Sequence, residues 1–492
     1  MAKIEAGGPA ATGIAGLDEL LGGGLIRNQL YSVQGDPGTG KTTLGMQFVV
    51  TGAAAGEPVL YITMSESESD VRRVAASHGW SLDGVVIHHH HAPESLADHQ
   101  TMLHPAEVEL PETTRALLEV VERVQPRRVV IDSMSELRLL ARDSRWYRRE
   151  ILSLKSYFAR RQCTVLLLDD VRRPQVNDQH IESIASGVIQ LERVNPEFGS
   201  ARRRLVIVKM RGLAFDDGYH DLRLRSGGLE VYPRMVAAES RGQVASGVLA
   251  TGIEALDTFM GGGVDRGTSL LITGPAGSGK SSLSLQLVHA AIGRGETAAM
   301  YLFDERQQTL YARAAAMGMD IRPAVRSGKL LLKQVDPAEM TPGEFSHTVR
   351  EDLKAGVSLL VVDSVSGYFH AMPDEQYLLL HLHEMLSYLN QQQVTAVLVE
   401  AQHGMLSNAV ESRLDISYLA DSVLLLRFFE FQGQIRQALS VHKRRGGAHE
   451  RTIREMQLTS RGVQIGTPLT QFHGILTGVP QYLADQLPKA PT

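Results

Sequence analysis

At 492 residues the chain is too long for one ordinary core, because single domains rarely grow past about 250–300 residues before a chain divides, so two domains are expected. A 43% hydrophobic and 21% charged composition excludes a disordered chain or a fibre, and 50 Lys and Arg against 55 Asp and Glu (net −5) leave no global basic field for nucleic acid or an anionic membrane. The single cysteine, Cys163, excludes an internal disulfide and a thiolate metal cage and fits a reducing cytoplasm, while residues 1–10 lack a charged-then-apolar leader and no apolar run reaches the ~18 residues of a membrane span.

The first marker along the chain is Thr12-Gly13-Ile14, followed by Leu17-Asp18 and Gly22-Gly23-Gly24. An apolar run at 30–33 predicts a strand entering Gly35-Asp36-Pro37-Gly38-Thr39-Gly40-Lys41-Thr42-Thr43, and a helix is predicted over 42–52. This is a P-loop. Its glycines let backbone N–H groups curl around a β-phosphate, Lys41 reaches the β and γ oxygens, Thr42 ligates Mg2+, and the helix N-terminus favours anionic charge. A strand at 59–63 then leads to Ser65-Glu66, where a carboxylate beside a γ-phosphate can deprotonate an attacking water or hydroxyl; a solvated acid is the plainer alternative. His88-His89-His90-His91 does not make a metal site, because a strand turns neighbouring imidazoles to opposite faces and no acidic or thiol ligand stands at supporting spacing.

The apolar run at 129–131 closes on Asp132, placed to support the metal, with a turn or N-cap role as the alternative. Cys163 precedes a strand at 165–168 and is expected to be a small buried residue. Arg172-Arg173 and Arg202-Arg203-Arg204 lack interleaved aromatics and suit solvent or a subunit contact better than nucleic acid. Strands at 188–191 and 205–209 follow, the second ending in Lys209-Met210-Arg211-Gly212. Residues i and i+2 of a strand share a face, so Lys209 and Arg211 form a two-pronged clamp. Facing outward, it would serve a neighbour's γ-phosphate as an arginine finger does, for roughly 10³–10⁵ in rate; charge blunting an edge strand is the alternative.

A polar stretch at 240–247 marks the expected boundary between domains 1–243 and 244–492, after which the whole pattern returns. Thr251-Gly252-Ile253, Leu256-Asp257 and Gly261-Gly262-Gly263 repeat the first markers 239 residues later. A strand at 270–273, the P-loop Gly274-Pro275-Ala276-Gly277-Ser278-Gly279-Lys280-Ser281-Ser282 and a helix over 281–292 come next, with Ser281 as the metal-ligating hydroxyl. A strand at 298–303 precedes the acidic pair Asp304-Glu305, and a run at 360–362 closes on Asp363. Strands at 396–400, 422–426 and 439–443 end in the second clamp, Lys443-Arg444-Arg445-Gly446. Apolar strands alternating with helices imply an α/β fold of mostly parallel sheets covered on both faces, with the sites at the strands' carboxyl ends.

In order, spacing and duplication, these motifs resemble the KaiC family of double-domain ATPases in the RecA/DnaB superfamily, from Thr12 to about Pro480. The resemblance implies two tandem RecA-like P-loop NTPase domains, each a twisted, mostly parallel sheet flanked by helices. It implies a homohexamer of two stacked rings, with ATP or ADP and Mg2+ at subunit boundaries reached in trans by Lys209, Met210, Arg211, Lys443, Arg444, Arg445 and His449. The N-terminal ring would hydrolyse ATP slowly. The C-terminal ring would act as a serine/threonine autokinase on an adjacent pair that falls here at Ser417-Tyr418, tyrosine replacing threonine. Asp304-Glu305 stands for a Glu-Glu pair whose first member is the general base, whereas Ser65-Glu66 leaves the first half one carboxylate, and Phe215 replaces a usual histidine.

Phe472 to Pro480 resembles a segment folded back over the C-terminal ring, and the short tail after it leaves little of the peptide that captures KaiA, so KaiA is not expected as a partner. A KaiB-like protein is an implied partner that no single residue here carries; membrane and nucleic acid are not expected. A cytoplasmic role in timing or stress signalling follows. Two other readings remain: a RecA/DnaB-like motor on DNA, opposed by the −5 balance, and a nucleotide-gated assembly scaffold with little kinase activity, favoured by Ser65 and Tyr418.

Overall fold

A computed structural model describes residues 8–90, 105–141, 143–170, 180–195, 199–236, 247–370, 376–402, 416–476 and 481–482. The chain forms two compact units, Met1–Arg234 and Met235–Thr492. Most of the stretch expected to separate the domains, together with His91, Arg172, Arg173 and residues 477–480, lies outside the described residues.

The first unit is built on one nine-stranded sheet: β1 Leu30–Gly35, β2 Val59–Thr63, β3 Val85–His89, β4 Arg128–Asp132, β5 Thr164–Asp170, β6 Gly187–Val194, β7 Arg202–Met210, β8 Tyr219–Arg225 and β9 Gly228–Tyr232. The order is β3-β2-β4-β5-β1-β6-β7-β8-β9. Pairing is parallel from β3 to β6 and antiparallel from β6 to β9. The second unit opens with the strand pair β10 Val248–Leu249 and β11 Val264–Asp265, then repeats the sheet. Its strands are β12 Ser269–Pro275, β13 Thr297–Leu302, β14 Leu330–Gln334, β15 Val357–Asp363, β16 Thr395–Gln402, β17 Ser422–Phe431, β18 Gln434–Arg444, β19 Ile453–Thr459 and β20 Gly462–Pro468. They run β14-β13-β15-β16-β12-β17-β18-β19-β20, and Phe472–His473 pairs with Gln481–Tyr482 beyond them.

Each sheet is apolar on both faces because helices cover both, so neighbours along one strand divide between two cores. Val59, Tyr61, Leu166 and Leu168 pack with Leu44 and Phe48 of the helix Lys41–Ala54. Leu60, Ile62, Val165 and Leu167 pack on the other face with Ile151, Leu154 and Phe158 of the helix Ser144–Arg160. The duplication extends to polar anchors. Asp18 accepts from the Thr12 N–H at 2.7 Å as Asp257 does from Thr251 at 2.8 Å, and Glu57 pairs with Arg27 as Glu296 does with Arg266. In the first unit Glu57 also meets Arg128, wholly buried, whose guanidinium donates to the carbonyls of Ala11 and Phe48.

Candidate nucleotide sites

The two P-loops lie at the carboxyl ends of β1 and β12, the central strands, and each runs into a helix, Lys41–Ala54 and Lys280–Gly293. Gly40 (φ 113) and Gly279 (φ 97) precede the helices in the left-handed region, and a Cβ on Gly279 would sit 2.7 Å from Met456 Cε. Both positions therefore require glycine, whose freedom lets the backbone N–H groups turn toward a phosphate. The two lysines fold over their own loops. Lys41 Nζ donates to Gly35 O at 2.7 Å and Asp36 O at 3.0 Å; Lys280 Nζ donates to Gly274 O at 2.9 Å and Pro275 O at 2.6 Å. Burial pushes Lys280 down to about 8 against the opposing pull of Asp363 and Glu400.

Asp132 and Asp363 end β4 and β15, next but one to the P-loop strands, and each meets the P-loop hydroxyl. Thr42 Oγ1 donates to Asp132 Oδ2 at 2.8 Å, and Ser281 hydrogen-bonds Asp363. Burial raises both carboxyls, Asp363 to about 6. Asp363 Oδ2 is buried without a hydrogen-bond partner, which suits an oxygen-ligand cation. A hydroxyl beside a carboxylate is a hard donor set that fits Mg2+, so Thr42 with Asp132 and Ser281 with Asp363 are the residues that would hold it. The halves differ here, because the Tyr61 hydroxyl donates to Asp132 Oδ2 at 2.6 Å whereas Met300 occupies the corresponding position on β13.

The acidic positions after β2 and β13 diverge further. Ser364 Oγ donates to Asp304, and Gly367 packs so closely that a Cβ there would lie 2.8 Å from Asp304 Oδ1. Glu305 is held by both arms of Arg313, each at 2.7 Å. In the first half Val74 stands where the repeat places Arg313. Thr63 fixes the Glu66 backbone at both N–H and C=O, at 3.0 and 2.8 Å. Desolvation, then the charges of Asp132 and Asp70, raise its carboxyl above the ordinary value, the condition of a group suited to accept a proton.

The clamps do share a face, and that face meets their own chain. Lys209 Nζ donates to Glu182 O and Arg211 donates to Ser183 O at 3.1 Å. Lys443 Nζ donates to Ser417 O at 2.9 Å and Ala420 O at 2.7 Å, and Arg445 donates to Tyr418 O at 2.9 Å. The second clamp thus grips the turn that carries Ser417 and the exposed Tyr418. Arg444 points the other way, its guanidinium paired with Asp265 at 2.8 Å, and Met210 is buried; neither side chain projects with the clamp. His449 lies on the loop between β18 and β19.

Among the described residues no cluster of three His, Cys, Asp or Glu could hold a metal, and no helix is long and apolar enough to cross a membrane. Cys163 is buried beside Pro126 O at 3.0 Å, and burial pushes its thiol up to about 11.

The sequence matches a family model described as "ATPase: KaiC" twice, over residues 10–236 and 249–470. It is 25% identical to the circadian clock oscillator protein KaiC of Parathermosynechococcus lividus over 477 residues, 95% of this chain and 87% of that one. Against the protein of the same name from Prochlorococcus marinus (strain MIT 9313) identity is 26% over 489 residues, 96% of each chain. The circadian clock protein KaiC3 of Synechocystis sp. is 25% identical over 486 residues, 96% of this chain and 94% of that one.

Proposed function

The chain belongs to the KaiC ATPase family, and from that premise we propose that it binds ATP with Mg2+ in both halves, hydrolyses it slowly, assembles as a double-ring homohexamer and phosphorylates itself on Ser417. The observation that carries the autokinase reading is the grip of Lys443 and Arg445 on the Ser417–Ala420 turn. One pair of cations touches the acceptor segment and stands where the family resemblance puts a contact to a neighbour's nucleotide.

In this reading Lys41 and Lys280 neutralise β and γ oxygens, and Mg2+, which Thr42 with Asp132 and Ser281 with Asp363 would hold, would add further charge neutralisation. Asp304, oriented by Ser364, accepts the proton of the attacking group. When that group is the Ser417 hydroxyl of an adjacent subunit, the serine oxygen bonds to the γ-phosphorus as the bond to the β-bridging oxygen breaks and ADP leaves. When it is water, the outcome is hydrolysis. In the first half Glu66 takes the role alone. A function in timing or stress signalling, in the cytoplasm and with a KaiB-like partner, extends this reading from the family resemblance; the relatives' circadian-clock names support the timing part.

Mass spectrometry of intact particles and of their peptides, after incubation with ATP and with ADP, tests it. The expected result is six chains and phosphate on Ser417 with ATP. ATP hydrolysis without phosphate on Ser417 would defeat the kinase part and favour the nucleotide-gated scaffold, for which Ser65 and Tyr418 speak.

A further inference from the structure

Alternation along β5 sends its last two residues to opposite faces. Asp169 joins the face of Val165 and Leu167, where Arg138 meets it. Asp170 joins the face of Leu166 and Leu168, the one covered by the P-loop helix. It lies in register with Gly35, the first glycine of the loop, and its Oδ1 stands 2.6 Å from Lys41 Nζ. The second half keeps the strand, the register and the lysine but not the acid: Gly274 is paired with Ala401.

We propose that Asp170 is an affinity-determining residue of the N-terminal site, a carboxylate that competes with the γ-phosphate for Lys41 and tilts this half toward the diphosphate. The inference rests on the reading that both P-loops bind nucleotide, and it adds what distinguishes them. A P-loop lysine serves the β and γ oxygens. A fixed negative charge in contact with its ammonium weakens that service and repels the terminal phosphoryl group, whose charge the diphosphate lacks. Ser135 Oγ, itself 2.5 Å from Ser133 Oγ, donates to Asp170 Oδ2 at 3.4 Å, and a neutral hydroxyl at that distance does not replace the lysine as a counter-charge. Asp132 lies close enough for the charge of Asp170 to raise its carboxyl, so the two acids bracket one end of the loop. The second half has the counterpart of Asp132 in Asp363, and the charge of Glu400 also reaches Lys280, but Glu400 sits one residue earlier on the strand, where Thr273 Oγ1 donates to it at 2.8 Å. With the same fold under both loops, the change from Asp170 to Ala401 makes the first site the weaker holder of triphosphate.

The test uses full-length protein in which Lys280→Ala silences the second site, titrated calorimetrically with the triphosphate analogue AMP-PNP and with ADP, both with Mg2+. Adding Asp170→Asn, nearly the same in shape, is expected to tighten AMP-PNP by about fivefold, the effect of one unit charge a few ångströms away in a partly exposed site, and to change ADP by less than about twofold. The reciprocal change, Ala401→Asp in the Lys41→Ala protein, is expected to weaken AMP-PNP by a similar factor. An AMP-PNP to ADP ratio unchanged by Asp170→Asn, or shifted toward ADP, overturns the inference while leaving nucleotide binding intact. Lys280→Ala protein that binds neither nucleotide overturns the inference and the nucleotide reading together.

Discussion

Glu305 and Arg313 form a two-armed ion pair, 2.7 Å on each side, whereas Asp304 beside it accepts from the Ser364 hydroxyl. An arginine holding both oxygens occupies the lone pairs that a proton-accepting carboxylate would turn toward the attacking group. Asp304→Asn is therefore expected to lower phosphoryl transfer by the C-terminal half about 10²-fold or more, and Glu305→Gln to lower it by less than about tenfold. Single-turnover kinetics on Lys41→Ala protein separates the two.

The same loop depends on Gly367, where an added methyl would lie 2.6 Å from Phe303 Cβ and 2.8 Å from Asp304 Oδ1. Gly367→Ala is expected to displace the base and cut kcat at least about tenfold with little change in nucleotide affinity, because misplacement of a reacting group acts on the chemical step. A loss confined to affinity would show that Asp304 tolerates the shift.

Lys280, held down to about 8 by burial, gives the C-terminal site a pH dependence. Phosphate contact raises the lysine's pKa, so between about 8 and the bound-state value binding takes up a proton. Affinity is fully present below about 8 and falls as pH rises through and above it, by up to about tenfold per unit. AMP-PNP titrations of Lys41→Ala protein from pH 7 to 10 check the sign.

Burial opposes the charge on Glu57, but Arg128 and Arg27 outweigh it and hold the carboxyl down to about 2. A depressed carboxyl stabilises the fold above its ordinary value near 4.5 and loses that contribution as pH falls toward about 2. Glu57→Gln leaves the buried Arg128 uncompensated and is expected to cost about 3 kcal/mol, against less than about 1 kcal/mol for Arg27→Ala, whose side chain is partly exposed. Urea unfolding at pH 7 measures both.

What the sequence made legible was local. The P-loops are runs of adjacent residues, and Asp132 and Asp363 show themselves because an apolar strand stops at a carboxylate. The i and i+2 rule correctly pairs Lys443 with Arg445, and the same rule sends Arg444 to the opposite side, where it finds Asp265. Strands β8 and β9 carry no apolar run, because histidine, aspartate and arginine alternate through the first and Glu230 interrupts the second. Ser364 on Asp304, Tyr61 on Asp132 and Asp170 on Lys41 escaped because the sheet brings together residues far apart in the chain. The Asp169-Asp170 pair ending an apolar run carried the same signal as Asp132. Arg313 stands eight residues beyond Glu305, on the helix Gln307–Ala316 that follows it.

If each half is a working nucleotide site, steady-state ATP hydrolysis by the full chain must depend on both P-loop lysines. Lys41→Ala and Lys280→Ala are each expected to retain part of the turnover, and the double variant to lose it by about 10²-fold or more. A double variant that hydrolyses ATP at the unaltered protein's rate would show that neither P-loop is a site of hydrolysis.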